Sequence, residues 1–119
     1  PQVSLDPEQL DFGDIDLIGQ PSEALQVTVT NTGSGDLDIG TLTIQGSQAG
    51  DFDFGGDVCS GQIVAPDANC TFEVIFTPQA AGIRRAWVSI PSNAPGSPHR
   101  VDLLGTQDVI FFDGFESDQ

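Results

Sequence analysis

The sequence predicts an all-β fold, an antiparallel sandwich of about seven or eight short strands, from three observations. Turn-forming residues interrupt the chain at intervals of roughly eight to twelve residues, the spacing expected of strands in a sandwich. Between the turns lie short runs in which apolar and polar residues alternate, as they do in a strand with one buried face. No segment repeats its apolar residues at helical spacing.

The strands follow in order from this alternation. QVSL and LDFG begin the chain, and in ALQVTVTN the alternation predicts that Leu25, Val27 and Val29 face inward. After a glycine-rich turn, Gly40 predicts a bulge, because the apolar residues after it fall out of phase with those before it. The alternation of apolar and polar residues ends at Gly105. The inward residues predicted for the later strands are Leu37 and Ile39, then Phe72, Val74 and Phe76, then Ala86, Val88 and Ile90, and finally Val101 and Leu103.

Residues 70–90 predict a hairpin, because turn-forming residues separate two alternating runs. In an antiparallel register, Glu73 and Ile75 would lie beside Arg85 and Trp87. This register predicts an ion pair between Glu73 and Arg85, and it also stacks the guanidinium on Trp87, the only tryptophan.

Three large apolar side chains are predicted to face outward, where polar residues are expected. They are Ile75, Trp87 and Leu104. Together they predict an apolar group that contacts a partner protein. The alternative is that they are single exposed apolar residues of the kind that most proteins tolerate.

Length and charge exclude several classes of function. A chain of 119 residues fits one domain with one modest core. Three arginines and no lysine face eighteen acidic residues, which gives a net charge of −15. Nucleic acids and anionic lipid surfaces are therefore poor partners, because both are bound through clustered cations. No apolar span is long enough to cross a bilayer.

The two cysteines, Cys59 and Cys70, flank the turn-rich loop of DVCSGQIVAPDANCTF. An even pair around such a loop predicts a disulfide, which would contribute about 3 kcal/mol by restricting the unfolded chain. A disulfide also predicts an oxidising, extracytoplasmic compartment. The alternative is two unrelated buried thiols.

The chain contains, in order, LDFGDIDLIG, VTVTNTGSGDLDI, GDFDF, DVCSGQIVAPDANCTFEVIFTP, QAAG and SIPSNAPGSPHRVDLLGT. Together these segments resemble bacterial Ig-like domains of the abnormal-spindle and Hydin type, found in choice-of-anchor surface proteins. The resemblance covers residues 4–106 and implies a sandwich of the major-sperm-protein and pilus-chaperone kind. It also implies protein contact and spacing rather than catalysis, in a secreted or cell-surface protein. We therefore expect an Ig-like sandwich over residues 1–106 and a separate tail over residues 107–119.

The tail ends in DVIFFDGFESDQ, where apolar residues stand among acidic ones. We expect it to add as an extension strand to an exposed sheet edge, on its own domain or on a neighbour. If the edge belongs to a neighbouring copy, we expect a head-to-tail contact that does not close on itself and gives a filament or a surface layer. The alternative is a sorting or attachment signal, because DGFE resembles a short motif near the ends of exported proteobacterial proteins. The predicted partner-binding residues are Val109, Ile110, Phe111, Phe112 and Phe115, with Ile75, Trp87 and Leu104.

Reaction chemistry is not indicated, so the sequence predicts a non-enzymatic structural or protein-binding module without a cofactor. His99, the only histidine, precedes a strand and has no nucleophile motif beside it. The alternative is an adhesion module, either calcium-dependent or carbohydrate-binding. Asp51, Asp53 and Asp57 place hard oxygen donors within a short segment and could hold calcium. Trp87 could be a platform for carbohydrate.

Overall fold

The strands of the protein, seen in a computed structural model that describes residues 1–107, form two four-stranded sheets and one two-stranded sheet. A single turn of 3-10 helix, Ala49–Asp51, precedes the sixth strand. The predicted extension strand, with the apolar residues of the tail, lies outside the described residues. The strands are β1 (Val3–Asp6), β2 (Gln9–Ile15), β3 (Leu25–Asn31), β4 (Leu37–Asp38), β5 (Thr43–Gln45), β6 (Phe52–Asp57), β7 (Ile63–Val64), β8 (Asn69–Phe76), β9 (Gly82–Ile90) and β10 (His99–Gln107).

The first sheet has the strand order β1-β3-β8-β6 and the second sheet has the order β2-β10-β9-β5. Strands β4 and β7 form the small two-stranded sheet. The all-β sandwich is thereby confirmed. One pair departs from the antiparallel expectation, because β2 runs parallel to β10. Alternation reports which face a side chain occupies and carries no information on strand direction, so the sequence pattern could not predict this pair. No helix among residues 1–107 is long and apolar enough to span a membrane.

The predicted hairpin over residues 70–90 is wrong. Strand β8 pairs with β3 and β6, whereas β9 pairs with β10 and β5, so the two strands belong to different sheets. Residues 77–81 carry the chain across the sandwich, whose facing sheets lie about 10 Å apart. Glu73 therefore lies opposite Gln26, and the ion pair predicted between Glu73 and Arg85 does not form.

The core lies between the two main sheets, where the predicted inward residues meet. The residues predicted to face inward on β8, β9 and β10 are all buried. Phe76 stacks on Phe52 with ring centroids 4.9 Å apart, and Phe12 of β2 contacts both rings. Strand β10 continues through Gly105 to Gln107, past the predicted end of the pattern. Gly105 faces the ring of Phe76 so closely that a Cβ atom would lie 2.7 Å from Cζ and closer still to Cδ2 and Cε2.

Gly40 does not form the predicted bulge. It lies in the connection between β4 and β5, where the chain passes from the small sheet to the second sheet. Its N–H donates to Pro91 O at 2.9 Å, and a Cβ atom here would lie 3.1 Å from Pro91 Cγ. Leu42 is nevertheless buried and Ile44 packs against the core. The change of phase that suggested a bulge reflects a change of sheet.

Candidate binding groove on the second sheet

The outward face of the second sheet contains a groove of about 400 Å³. Strand register creates it: the pairing of β9 with β10 places Trp87 opposite Asp102 and Arg85 opposite Leu104. The parallel pairing of β2 with β10 adds Gln9 and Asp11 on the other side. We use "the groove" for the surface formed by Asp11, Arg85, Trp87, Arg100, Asp102 and Leu104.

Arg100 lies over the indole of Trp87, with its Cζ atom 4.2 Å from the ring centroid. Its Nε and Nη2 also donate to Asp102 Oδ1 at 3.2 and 3.1 Å. Both members of this ion pair are largely exposed, so the pair contributes little to stability, but it orients the guanidinium on the ring. The sequence predicted Arg85 in this role. Arg100 takes it because β10, rather than β8, lies beside β9.

Arg85 lies at the other end of the groove and is exposed. Its backbone N–H donates to Gln48 Oε1 at 2.9 Å, but its guanidinium has no ion pair with any residue in the range 1–107. Arg84 points to the opposite face and pairs with Asp51. Two of the three cations of a chain with net charge −15 therefore line the groove. The groove also includes Asp11 and Asp102, so its charged side chains balance, whereas the chain as a whole is strongly acidic.

The three outward apolar residues predicted as one group do not form one. Trp87 and Leu104 both line the groove on the second sheet. Ile75 belongs to the first sheet, where it lies opposite Asp53 and close to Gly55. The grouping failed because it depended on the hairpin. The partner-binding role of Trp87 and Leu104 stays a prediction, and the tail residues assigned the same role lie outside the described residues.

The aspartates predicted to hold calcium are engaged separately. Asp51 is buried and paired with Arg84, while Asp57 accepts hydrogen bonds from the backbone N–H groups of Cys59 and Ser60, each at 3.0 Å. The third, Asp53, lies on β6. Within residues 1–107, no three His, Cys, Asp or Glu side chains are placed to hold a metal ion. Although these three carboxylates are close in sequence, the structure does not bring them together into one binding site.

Cys59 and Cys70 form the predicted disulfide, with Cα atoms 5.3 Å apart. It joins the loop after β6 to the start of β8. Asp57 fixes the same loop. Partial burial by itself raises the pKa of Asp57, but hydrogen bonds from the Ser60 hydroxyl and from the N–H groups of Ser60 and Cys59 outweigh burial and hold this pKa below its ordinary value.

Strand β2 forms one side of the groove and also one edge of the second sheet. Among the described residues its only strand partner is β10, so its other edge is unpaired. An unpaired edge presents backbone N–H and C=O groups to which another strand can bond. The groove and an open edge therefore share one strand.

Comparison with known proteins identifies a family and several solved structures with a similar fold. A family model described as the HYDIN/CFA65/VesB-like Ig-like domain matches residues 1–106. No curated protein matches the chain. Among solved structures, the secreted serine protease VesC from Vibrio cholerae superposes with a TM-score of 0.68 at 18% identity, over 89% of this chain and 23% of VesC. The chain thus spans about a quarter of the length of that protease.

Two further solved structures share the fold. The PapD-like domain 7 of human CEP192 matches with a TM-score of 0.64 at 14% identity, over 92% of this chain and 87% of that domain. The periplasmic chaperone SfaE matches with a TM-score of 0.65 at 15% identity, over 92% of this chain and 60% of the chaperone. At these identities the likeness establishes a common sandwich fold and nothing about shared partners.

Proposed function

The chain belongs to the HYDIN/CFA65/VesB-like Ig-like domain family, and on that premise we propose that it is a non-enzymatic protein-binding module of an exported protein. Export is supported by the disulfide between Cys59 and Cys70, because such bonds persist in oxidising compartments. It is also supported by similar folds in proteins named as a secreted protease and a periplasmic chaperone.

The observation that carries the binding role is the groove beside the open edge of β2. It combines the single tryptophan with Arg85 and Arg100 in a chain that is otherwise strongly acidic. Tryptophan and arginine are the residues that most often dominate the energy of protein interfaces. A strand edge next to such a surface offers backbone hydrogen bonds as well as side-chain anchors.

The ligand that we propose is the tail of another copy. Val109 to Phe112 would add as a strand to the free edge of β2, with the backbone supplying hydrogen bonds and alternate side chains supplying apolar contact. Because the donor tail and the acceptor edge are different surfaces, the contact is heterologous, and a pair of copies still presents one free tail and one free edge. Copies would then join head to tail into a filament or a surface layer.

Sedimentation of the full chain over a wide concentration range tests this proposal. We expect association that rises with concentration, and we expect it to disappear when Ile110 and Phe112 are both replaced by Asp. A matched control replaces Ser117 and Gln119 by Asp, which adds the same charge near the chain end and leaves the apolar run intact. A wild-type chain that stays monomeric at every concentration would rule out the head-to-tail contact.

A further inference from the structure

The tail continues beyond its apolar run into the acidic and aromatic sequence Asp113-Gly114-Phe115-Glu116. Resting on the head-to-tail contact proposed above, we propose that the groove is the receptor for this DGFE sequence of a second copy. Phe115 would contact Trp87 and Leu104, and the carboxylates on either side of it would bind Arg85 and Arg100. The groove would thereby select an acidic-aromatic peptide rather than any extended strand.

The position of the groove fits a strand added to β2. Strand β2 contributes Asp11 to the groove and has its free edge on the other side. Adjacent strands lie about 5 Å apart, so Leu104 on β10 is about 10 Å from an added strand. The three residues Asp113 to Phe115 span up to about 10 Å when extended. The backbone at Phe115 can therefore reach Leu104 while Val109 to Phe112 pair with the edge, and the Phe115 side chain would cover the further strand spacing of about 5 Å to Trp87 on β9.

The charge of the groove fits the same sequence. Arg85 has no ion pair among the described residues, so its five N–H donors are available to a carboxylate. Arg100 lies over the Trp87 ring and donates from Nε and Nη2 to Asp102, so a tail carboxylate would bind its remaining N–H donors or displace Asp102 from this exposed pair. The third cation of the chain, Arg84, is committed to Asp51. Arg85 and Arg100 are the two exposed arginines among residues 1–107, and both lie in the groove.

Neighbouring apolar surfaces fit an acidic segment less well. A shallow groove between β2 and β3 has Phe12, Ile15 and Leu25 in its lining, but Asp11 and Glu23 lie at the same place. No arginine lines this second groove, so carboxylates of the tail would meet Asp11 and Glu23 without a compensating cation, which weakens binding. Both surfaces include Asp11, and the groove also includes Asp102, so what distinguishes the groove is its two arginines.

The direction of β10 favours a second copy over the same chain. Strand β10 passes the groove between Arg100 and Leu104 and then runs away from it to Gln107. Residues 108–112 contain no glycine or proline, and Asp108 is their only turn-favouring residue. The tail of the same chain would have to turn back within this largely apolar run, whereas the tail of another copy can approach directly.

The test uses full-length variants that are defective on one side of the contact. Arg85→Gln with Arg100→Gln removes two positive charges from the groove, and Phe115→Ala removes the aromatic anchor. Each is expected to weaken self-association by about tenfold or more, as loss of interface anchors does. The matched control, Gln2→Glu with Gln62→Glu, changes the net charge by the same amount at exposed positions outside the groove and should leave association within about twofold of wild type.

Mixing gives the decisive result. An equimolar mixture of the groove variant and the Phe115→Ala variant should form heterodimers that stop at two chains, because only one of the two possible contacts is intact. Emission of Trp87, the only tryptophan, should shift with concentration in the wild type and in the mixture, and in either variant alone the shift should need a concentration about tenfold higher or more.

The outcomes separate the two proposals. If the Ile110 and Phe112 substitutions abolish association while the groove variant associates like wild type, the head-to-tail contact stands and the groove is not its receptor. If the wild type never associates, both proposals fall. If Trp87 emission differs between dilute, monomeric wild type and Phe115→Ala, the groove holds the tail of its own chain and the second-copy assignment is wrong.

Discussion

Arg84 of β9 donates from Nε to Asp51 Oδ2 at 2.6 Å, and only 3% of the Asp51 side chain is exposed. The N–H of Gln79 donates to the same oxygen at 3.2 Å. The hydrogen bond to Asp51 raises the pKa of Arg84, although burial by itself lowers it. This pair links the second sheet to the turn that leads into β6 of the first sheet.

Replacing Arg84 by Ala should lower the free energy of unfolding by about 3 kcal/mol, because it leaves the buried carboxylate of Asp51 without its cation. Urea denaturation measures the change. Arg85→Ala is the matched control: the adjacent arginine has no ion pair among residues 1–107 and should change stability by less than about 0.5 kcal/mol. Equal losses at the two positions would contradict a structural role for the pair.

Gly105 should tolerate no side chain, because Phe76 occupies the space that a Cβ atom would fill. We expect Gly105→Ala to cost about 1–3 kcal/mol of stability through overpacking, measured as a fall in the denaturation midpoint. Adding Phe76→Leu should recover part of the loss, since it removes the contacting ring atoms. Gly50→Ala, where a Cβ atom would meet nothing within 4 Å, is the control. A loss at Gly105 that Phe76→Leu does not relieve would point to a different cause.

The sequence predicted which side chains are buried better than it predicted which strands pair with each other. Phe72, Val74 and Phe76 are buried as expected, because alternation is a local property of a strand and the core face is continuous. Strand pairing depends on where each connection leads, and residues 77–81 cross between sheets instead of closing a hairpin. Local sequence contains no comparable signal for such a crossing.

The same distinction explains what the sequence predicted of the groove. Trp87 and Leu104 were placed on an outward face by alternation, and they lie together. Arg100 was missed as the residue stacked on the indole, although the alternation of HRVDLL already places it on the outward face. Its contact follows from the pairing of β10 with β9, a long-range relationship. Asp11 was missed for the same reason, because it enters through a parallel strand pair.

Asn31, at the end of β3, is a fully buried polar residue whose side chain forms hydrogen bonds with backbone groups of the loop after it. Its Nδ2 donates to Gly35 O at 2.7 Å and to Val64 O at 2.9 Å. Its Oδ1 accepts from the N–H groups of Gly33 at 3.0 Å and Gln2 at 3.3 Å. One side chain thus connects the N-terminal segment, the glycine-rich turn and the small sheet.

Asn31→Asp should destabilise the fold by about 3 kcal/mol or more, because a carboxylate would face two carbonyl oxygens without a donor. Asn31→Ala should cost about 1–3 kcal/mol by leaving those carbonyl and N–H groups unpaired. Thermal and urea unfolding measure both. Asn69→Ala is the control, since that exposed side chain has no hydrogen bond with residues 1–107, and it should be nearly neutral. A neutral Asn31→Asp variant would contradict this assignment.

Asp57 should make stability depend on acid pH, because its pKa is lower in the folded protein than the value of about 3.9 expected when unfolded. Its contribution is therefore complete above about pH 4 and is lost as the pH falls through the lower, folded pKa. Asp57→Asn should cost about 0.5–1 kcal/mol at neutral pH, limited by solvent screening at this exposed site. The difference from wild type should shrink in urea titrations below about pH 4. A gap between Asp57→Asn and wild type that stays constant over this pH range would contradict the linkage.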